Sequence, residues 1–398
     1  MRSTSCSVVA HEVLQACLAG APPKELPRAL LEEACGKALF SILVEGLADR
    51  FEPALCDAYA RLFAQAVAHV YPEEHPAALV ARYQRVRRAR AVTGRPHRIV
   101  VLSRVTLGAD VAVTSVIMAA ARRRFPHAEL LFAGPRKNYD LFAGDSHVHH
   151  AAVEYRRGGL RERLCVRERL CELLADPETL VLDPDSRLTQ LGMLPVCPEE
   201  RYHLFDSRAY GAETGRALPE LAAGWAAETL GVKGARPYVA LGRRPAVHPY
   251  VAVNLGVGEN AAKRLPDPFE ERLLGLLAGC GMPIVLDKGG SEEEAVRVER
   301  AAERSRAEVT FWEGSFAGFA AIIEGSRLYV GYDSAGQHVA AACGVPLISI
   351  FAGFPAPRMF ERWRPVGESC RVIRVDRPDV EGTLERVGEA LGRGTSAT

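Results

Sequence analysis

YVGYDSAGQHVAAACGVPLISIF, Tyr329 to Phe351, decides the fold class. An apolar run ends at Gly331. Asp333, Ser334, Gly336, Gln337 and His338 then fall in a tight turn or a first helical turn. Ala340 to Ala342 are small enough to let that helix pack closely, and a second strand follows Pro346. A strand–turn–helix–strand unit predicts a parallel sheet covered by helices. The open N–H groups and dipole at such a helix start favour a diphosphate. Ser334 adds a hydroxyl donor, and His338 contacts phosphate or orients the turn. Asp333, itself anionic, is better suited to ordering the loop, capping the helix or meeting a sugar hydroxyl. A purely structural turn with a satisfied histidine is the competing reading. Ser334 and His338 do not make a serine hydrolase, because no G-x-S-x-G elbow surrounds the serine.

The same alternation extends outward. Strands are expected at Tyr250–Leu255, Pro283–Asp287, Val309–Phe311, Leu328–Gly331 and Leu347–Phe351, with helices at Pro268–Ala278, Glu292–Arg304, Phe316–Glu324 and Gln337–Ala342. An earlier set has strands at Ile99–Leu102, Glu129–Ala133, Ala151–Tyr155 and Thr179–Leu182, with helices at Asp110–Arg124 and Arg161–Leu174. Two doubly wound Rossmann-like lobes follow. Residues 1–92 carry only helical spacing, as in Leu39, Leu43 and Leu47, and Pro53 suits a first helical turn. The expected division is a helical extension at 1–92, a Rossmann-like lobe at 93–245, a second at 246–385 and a flexible tail at 386–398, with a linker near Gly231–Pro249. The arginines Arg82, Arg85, Arg87, Arg88 and Arg90 read as a solvated face or as a patch for a phosphate-bearing or membrane-associated acceptor.

A formal net charge of +1 argues against a dedicated nucleic-acid binder. No apolar run is long enough to span a bilayer, and His11, Glu12 and Gln15 interrupt the N-terminal apolar stretch, so it reads poorly as a signal peptide. A cytoplasmic protein is expected, touching the inner face of a membrane only through surface patches. The ten cysteines form no CxxC pair and read as small buried hydrophobes. No metal site is expected, and His147, His149 and His150 read as a surface loop.

Two further stretches carry candidate chemistry. IVVLSRVTLGADVAVTS, Ile99 to Ser115, puts Arg104, Gly108, Asp110 and Thr114 where a strand passes into a helix. Asp110 is either a helix cap or a base able to take a proton from a hydroxyl, and the two are compatible. Arg104 can hold an anionic acceptor or orient Asp110, and Thr114 suits local packing. YVAVNLGVGENAAKRLP, Tyr250 to Pro266, follows a strand with Gly256, Gly258, Lys263 and Arg264. Glycine backbone can turn N–H groups towards phosphate, and a lysine stabilises a departing diphosphate. It is neither a P-loop nor a complete dinucleotide fingerprint. Glu313, at a strand-to-helix turn, is a candidate for the base or ribose pocket.

Together these stretches resemble the bacterial heptosyltransferases, glycosyltransferase family 9, over roughly residues 98–376. The family's Gly-Asp-x-x-x-Thr pattern is similar to Gly108-Ala109-Asp110 and Thr114, with Ala109 where a glycine is usual. Its lysine region resembles Lys263-Arg264-Leu265-Pro266. Its Asp-Ser/Thr-Gly-x-x-His donor motif resembles Asp333-Ser334-Ala335-Gly336-Gln337-His338, with alanine at the first glycine. The resemblance implies a GT-B fold with an acceptor-facing lobe at 93–245 and a nucleotide-sugar-binding lobe at 246–385, Asp110 as catalytic base, and donor binding by Lys263 and residues 333–338. It implies an inverting, metal-independent transfer from a nucleotide sugar such as ADP-heptose to a hydroxyl acceptor, an anionic glycolipid or lipopolysaccharide-core oligosaccharide. No other cofactor is expected. The alternatives are a noncatalytic sugar-nucleotide-binding protein and a GT-B sugar-nucleotide epimerase.

Overall fold

The computed structural model describes residues 2–241, 249–258 and 260–394. The expected linker lies partly outside them. The chain divides into two compact units. The first comprises Met1–Thr106, Val113–Tyr139 and Ser146–Arg236, and the second comprises Leu107–Ala112, Asp140–Asp145 and Pro237–Thr398.

The first unit is built on five parallel strands: β1 (Arg98–Leu102), β2 (Glu129–Gly134), β3 (Val148–Ala152), β4 (Thr179–Asp183) and β5 (Tyr202–Leu204), in the order β3-β2-β1-β4-β5. Val100, Val101 and Leu102 are fully buried, as expected for a strand covered on both faces. The second unit has six: β6 (Val251–Asn254), β7 (Ile284–Asp287), β8 (Val309–Trp312), β9 (Leu328–Tyr332), β10 (Leu347–Phe351) and β11 (Cys370–Arg374). They pair in parallel in the order β11-β10-β9-β6-β7-β8. This is the doubly wound order, in which the strand sequence reverses between β6 and β9 and leaves a ligand crevice at their carboxyl ends.

Several elements differ from expectation. β3 lies earlier than Ala151–Tyr155, pairing Leu130 with Val148, so His149 and His150 are strand residues rather than a loop. His150 Nε2 lies 2.8 Å from the Gly134 carbonyl oxygen, and its ring stacks on Tyr139 at 4.6 Å. β5 is short, and β11 is a half-exposed edge strand interrupted by Arg371; neither has a strong apolar run. The helix after β1 starts at Leu107 and passes through a π turn, Asp110–Thr114, before Ser115–Arg124. Asp110 is therefore inside a helical run and not at its cap. A final helix, Val380–Gly394, extends through residues read as a tail.

The N-terminal residues are not an appendage. Helices Arg2–Leu18, Pro53–Val70 and Pro76–Val86 lie in the first unit, with Pro53 in its expected first turn. Leu39, Leu43, Tyr59, Leu62, Phe63 and Tyr83 share one apolar cluster with Val100, Leu102, Leu131 and Val181 of the sheet. Tyr59 donates to the Gln190 carbonyl at 2.7 Å, and Tyr71 to the Leu164 carbonyl at 2.9 Å. Arginines in and just after the third helix bond within the same unit. Arg82 donates to the Gly192 carbonyl at 2.8 Å, Arg85 pairs with Glu199 at 2.7 Å, and Arg87 pairs with Asp57 at 2.6 Å and the buried Asp206 at 2.8 Å. Arg82 and Arg87 are thus tied into the fold, while Arg85, Arg88 and Arg90 are exposed. Cys6 and Cys35 form a disulfide rather than two separate buried thiols.

Candidate functional site

The carboxyl ends of β6, β9 and β10 gather the candidate residues of the second unit. β6 ends at Asn254, whose side-chain Oδ1 accepts from the Gly256 N–H at 3.0 Å. Gly258 has φ +60°, a conformation that favours glycine. The chain then makes a short 3-10 turn, Ala261–Lys263. Lys263 Nζ donates to Asp333 Oδ2 at 2.6 Å and to the Asp333 carbonyl at 3.2 Å. Thus the basic loop after β6 and the Asp-Ser turn after β9, separate in sequence, meet in space. The loop after β10 supports them. Gly353 has φ +66°, and a Cβ there would sit 2.6 Å from the Lys263 amide nitrogen.

Asp333 is buried and also accepts a hydrogen bond from Gln337 Nε2. Gln337 is fully buried, and its Oε1 receives the Ser349 hydroxyl. Ser334 precedes the helix Ala335–Cys343 in extended backbone and is half-buried. His338 is buried edge-on to Trp363, with ring centroids 5.9 Å apart. Burial pushes its pKa down to about 4, a loss only partly opposed by Asp333, with nearby Lys263 pushing further down. The imidazole is neutral at pH 7, so Lys263 supplies the positive charge of this turn. Gly336 has a steric reason to be glycine: a Cβ would lie 2.6 Å from Tyr329 Cζ.

The first constellation reaches the same place in part. Leu107–Ala112 belongs to the second unit. A Cβ on Gly108 would lie 3.1 Å from both Ala335 Cα and His338 Cδ2. Asp110 follows two residues later and is fully buried. Thr114 is fully buried in the first unit. Arg104, also in the first unit, donates to Ser207 Oγ at 2.9 Å and to the Pro184 carbonyl, with Asp185 at 3.7 Å. Arg264 is held by Glu270 at 3.1 Å and by Asp267. Glu313 is exposed and pairs with Lys288 at 3.3 Å. Arg264 and Glu313 thus have structural partners of their own.

Sequence reading missed Asn254, Asp287, Tyr329, Ser349 and Gly353. Asn254 Nδ2 donates to Asp287 Oδ2 at 2.6 Å. An asparagine at a strand's carboxyl end, two residues before a glycine, was the available signal. The others depend on which strands become neighbours. Among the described residues no group of three or more His, Cys, Asp or Glu side chains is arranged to hold a metal, and no helix is long and apolar enough to cross a membrane.

Two parallel, doubly wound sheets, each in its own unit, with helices added before the first, define the GT-B fold. Residues 204–384 match the family model of Glycosyltransferase family 9 (heptosyltransferase), and the resemblance drawn from the motifs holds there. The E. coli heptosyltransferase WaaC with ADP is similar in structure, with a TM-score of 0.57, 18% identity, and coverage of 75% of this chain and 99% of that one. E. coli ADP-heptose lps heptosyltransferase II gives 0.53 at 20% identity, covering 75% and 98%. A family 9 glycosyl transferase from Veillonella parvula gives 0.55 at 15% identity, covering 76% and 91%. No curated protein matches the chain.

Proposed function

We propose that this protein is an inverting glycosyltransferase that uses a nucleotide sugar. The observation that carries the reading is the convergence of Lys263, the Asp333–His338 turn and the Gly108–Asp110 segment within one compact unit. The diphosphate of the donor lies at the start of helix Ala335–Cys343, where backbone N–H groups and Lys263 meet its charge. An acceptor hydroxyl gives its proton to Asp110 as its oxygen bonds to the anomeric carbon. The bond from that carbon to the diphosphate breaks, and the leaving group takes the electron pair. Lys263 offsets the negative charge that develops there. A neutral His338 orders the turn without adding charge.

The donor is assigned as ADP-heptose and the acceptor as an anionic glycolipid or lipopolysaccharide-core oligosaccharide, reached from the inner membrane face. These finer assignments are supported by the names of the similar proteins, a heptosyltransferase bound to ADP and an ADP-heptose lps heptosyltransferase. Arg104 is assigned to the acceptor side, and Glu313 to the nucleoside.

One observation favours a second reading, a protein that binds a sugar nucleotide without transferring it: the Asp110 side chain is completely buried. A panel of nucleotide sugars and acceptors, followed by mass measurement of products, separates the two. Asp110→Asn is expected to keep donor binding and lose roughly a hundredfold or more in transfer. Transfer by D110N at the parent rate refutes the base assignment, and donor binding with no product across the panel favours the second reading.

A further inference from the structure

Ser334 behaves unlike two other serines that precede helices in the same unit. Ser291 Oγ accepts from the Glu294 N–H at 3.2 Å, and Ser315 Oγ from the Gly318 N–H at 3.2 Å. Each caps its own helix, as serine ordinarily does. Ser334 makes no such side-chain bond to helix Ala335–Cys343. Its hydroxyl instead donates to Asn254 Oδ1 at 3.4 Å and lies 3.3 Å from the Tyr329 phenolic oxygen.

Asn254 has no freedom to do otherwise. Its Oδ1 receives the Gly256 N–H at 3.0 Å, and a main-chain N–H can only donate. That places oxygen on the side of Gly256 and Ser334, and the amide nitrogen towards Asp287, 2.6 Å away. One side chain therefore joins the ends of β6 and β7, the glycine loop and the Asp-Ser turn.

We propose that Asn254 is a positioning residue for the diphosphate site: it holds the Ser334 hydroxyl aside and so leaves the first N–H groups of helix Ala335–Cys343 to the ligand. The proposal rests on the donor-binding part of the proposed function. Ser334 then acts by standing clear of its helix rather than by touching phosphate, and Asn254 touches neither donor nor acceptor. Tyr329 assists from the other side. Removing the Asn254 amide releases the hydroxyl, which turns onto its own helix and competes with the incoming anion.

The test is calorimetric titration of the full-length protein with ADP, other nucleoside diphosphates and inorganic pyrophosphate, with thermal unfolding as the control for folding. Asn254→Ala is expected to weaken ADP and pyrophosphate by about tenfold, the scale of one capping interaction. Adding Ser334→Ala to it is expected to recover most of that loss, because no hydroxyl remains to compete. A purely structural asparagine gives no such recovery. Tyr329→Phe keeps the bonds from Asn254 to Gly256 and Asp287, and shifts binding in the same direction by a smaller factor. If N254A does not fold, recovery of Y329F by Ser334→Ala decides the matter alone. Parent-like binding by a folded N254A overturns the proposal, as does a double variant that binds no better than N254A. A parent protein that binds none of these anions sinks the donor-site reading, and this proposal with it. Binding by the parent with no effect of the variants sinks only the role of Asn254.

Discussion

Lys263 Nζ lies 2.6 Å from Asp333 Oδ2 and 3.2 Å from the carbonyl oxygen of the same residue. The pair fixes the turn after β9 to the loop after β6, and most of both side chains is out of water. The same lysine thus serves the fold and, in the proposed site, the ligand. Lys263→Met is expected to reduce affinity for nucleoside diphosphates at least about tenfold, since a charge-assisted contact is worth roughly 1.5–3 kcal/mol. It also leaves the buried Asp333 without its cation, lowering stability by about 2 kcal/mol. Calorimetric titration and chemical denaturation measure the two effects separately. Unchanged anion binding by a folded K263M removes Lys263 from the site.

Gly336→Ala tests the packing beneath the turn. The new methyl group meets the Tyr329 ring, which is fully buried and cannot swing out. A loss of about 1–3 kcal/mol is expected, with a lower unfolding temperature. Gly344→Ala is a useful contrast, because its methyl meets no atom but its φ is +71°. Its cost comes from the backbone alone, at roughly 1 kcal/mol. Equal losses at the two positions contradict the steric account of Gly336.

His338 gives a pH dependence with a definite sign. Its folded pKa is near 4, below the ordinary histidine value of about 6.5, because the ring is buried. The unfolded chain therefore binds a proton that the folded chain refuses between those values. Stability is full above pH 6.5 and falls as the pH drops towards 4, by up to about 3 kcal/mol. His203 in the first unit is likewise held near 4, by burial first and by Arg90 second, and acts in the same direction. NMR titration of the imidazoles is the direct check. A His338 signal that titrates near pH 6.5 in the folded protein contradicts the burial described here.

The disulfide makes a counting prediction. Eight cysteines are free and two are joined, Cys6 with Cys35. Thiol titration of the denatured, unreduced protein is expected to give eight, and ten after reduction. With a sequence separation of 29 between the partners, loss of the bond costs about 3–4 kcal/mol in the chain-entropy account. Ten thiols before reduction rule the bond out.

Much of the architecture was legible because buried parallel strands are compact apolar runs. Val100 to Leu102 and Leu347 to Phe351 could hardly be anything else. Cys370–Arg374 is a half-exposed edge without that pressure, and Tyr202–Leu204, though buried, is only three residues long with a histidine at its centre, so neither stands out. The histidines of β3 were polar enough to read as a loop, although one is satisfied by a carbonyl and an aromatic face. At the site, Lys263, Asp333 and His338 could be named from chemistry and spacing. Asn254 and Tyr329 could not, because their importance comes from β6 and β9 lying side by side. Arg264 shows a further side of this. A basic residue beside a glycine loop suggests a phosphate contact, and the partners it has in the fold, Glu270 and Asp267, come from the turn and helix that follow and cannot be read from the loop alone.

The apolar cluster shared by the N-terminal helices and the β1–β4 sheet has a consequence for dissection of the chain. Starting the polypeptide after Arg87 would bare one side of that sheet and strip Asp206 of its arginine. The helices and the remainder, made as two separate polypeptides, are complementary halves of one interior. They are expected to be insoluble apart and to reassemble when mixed.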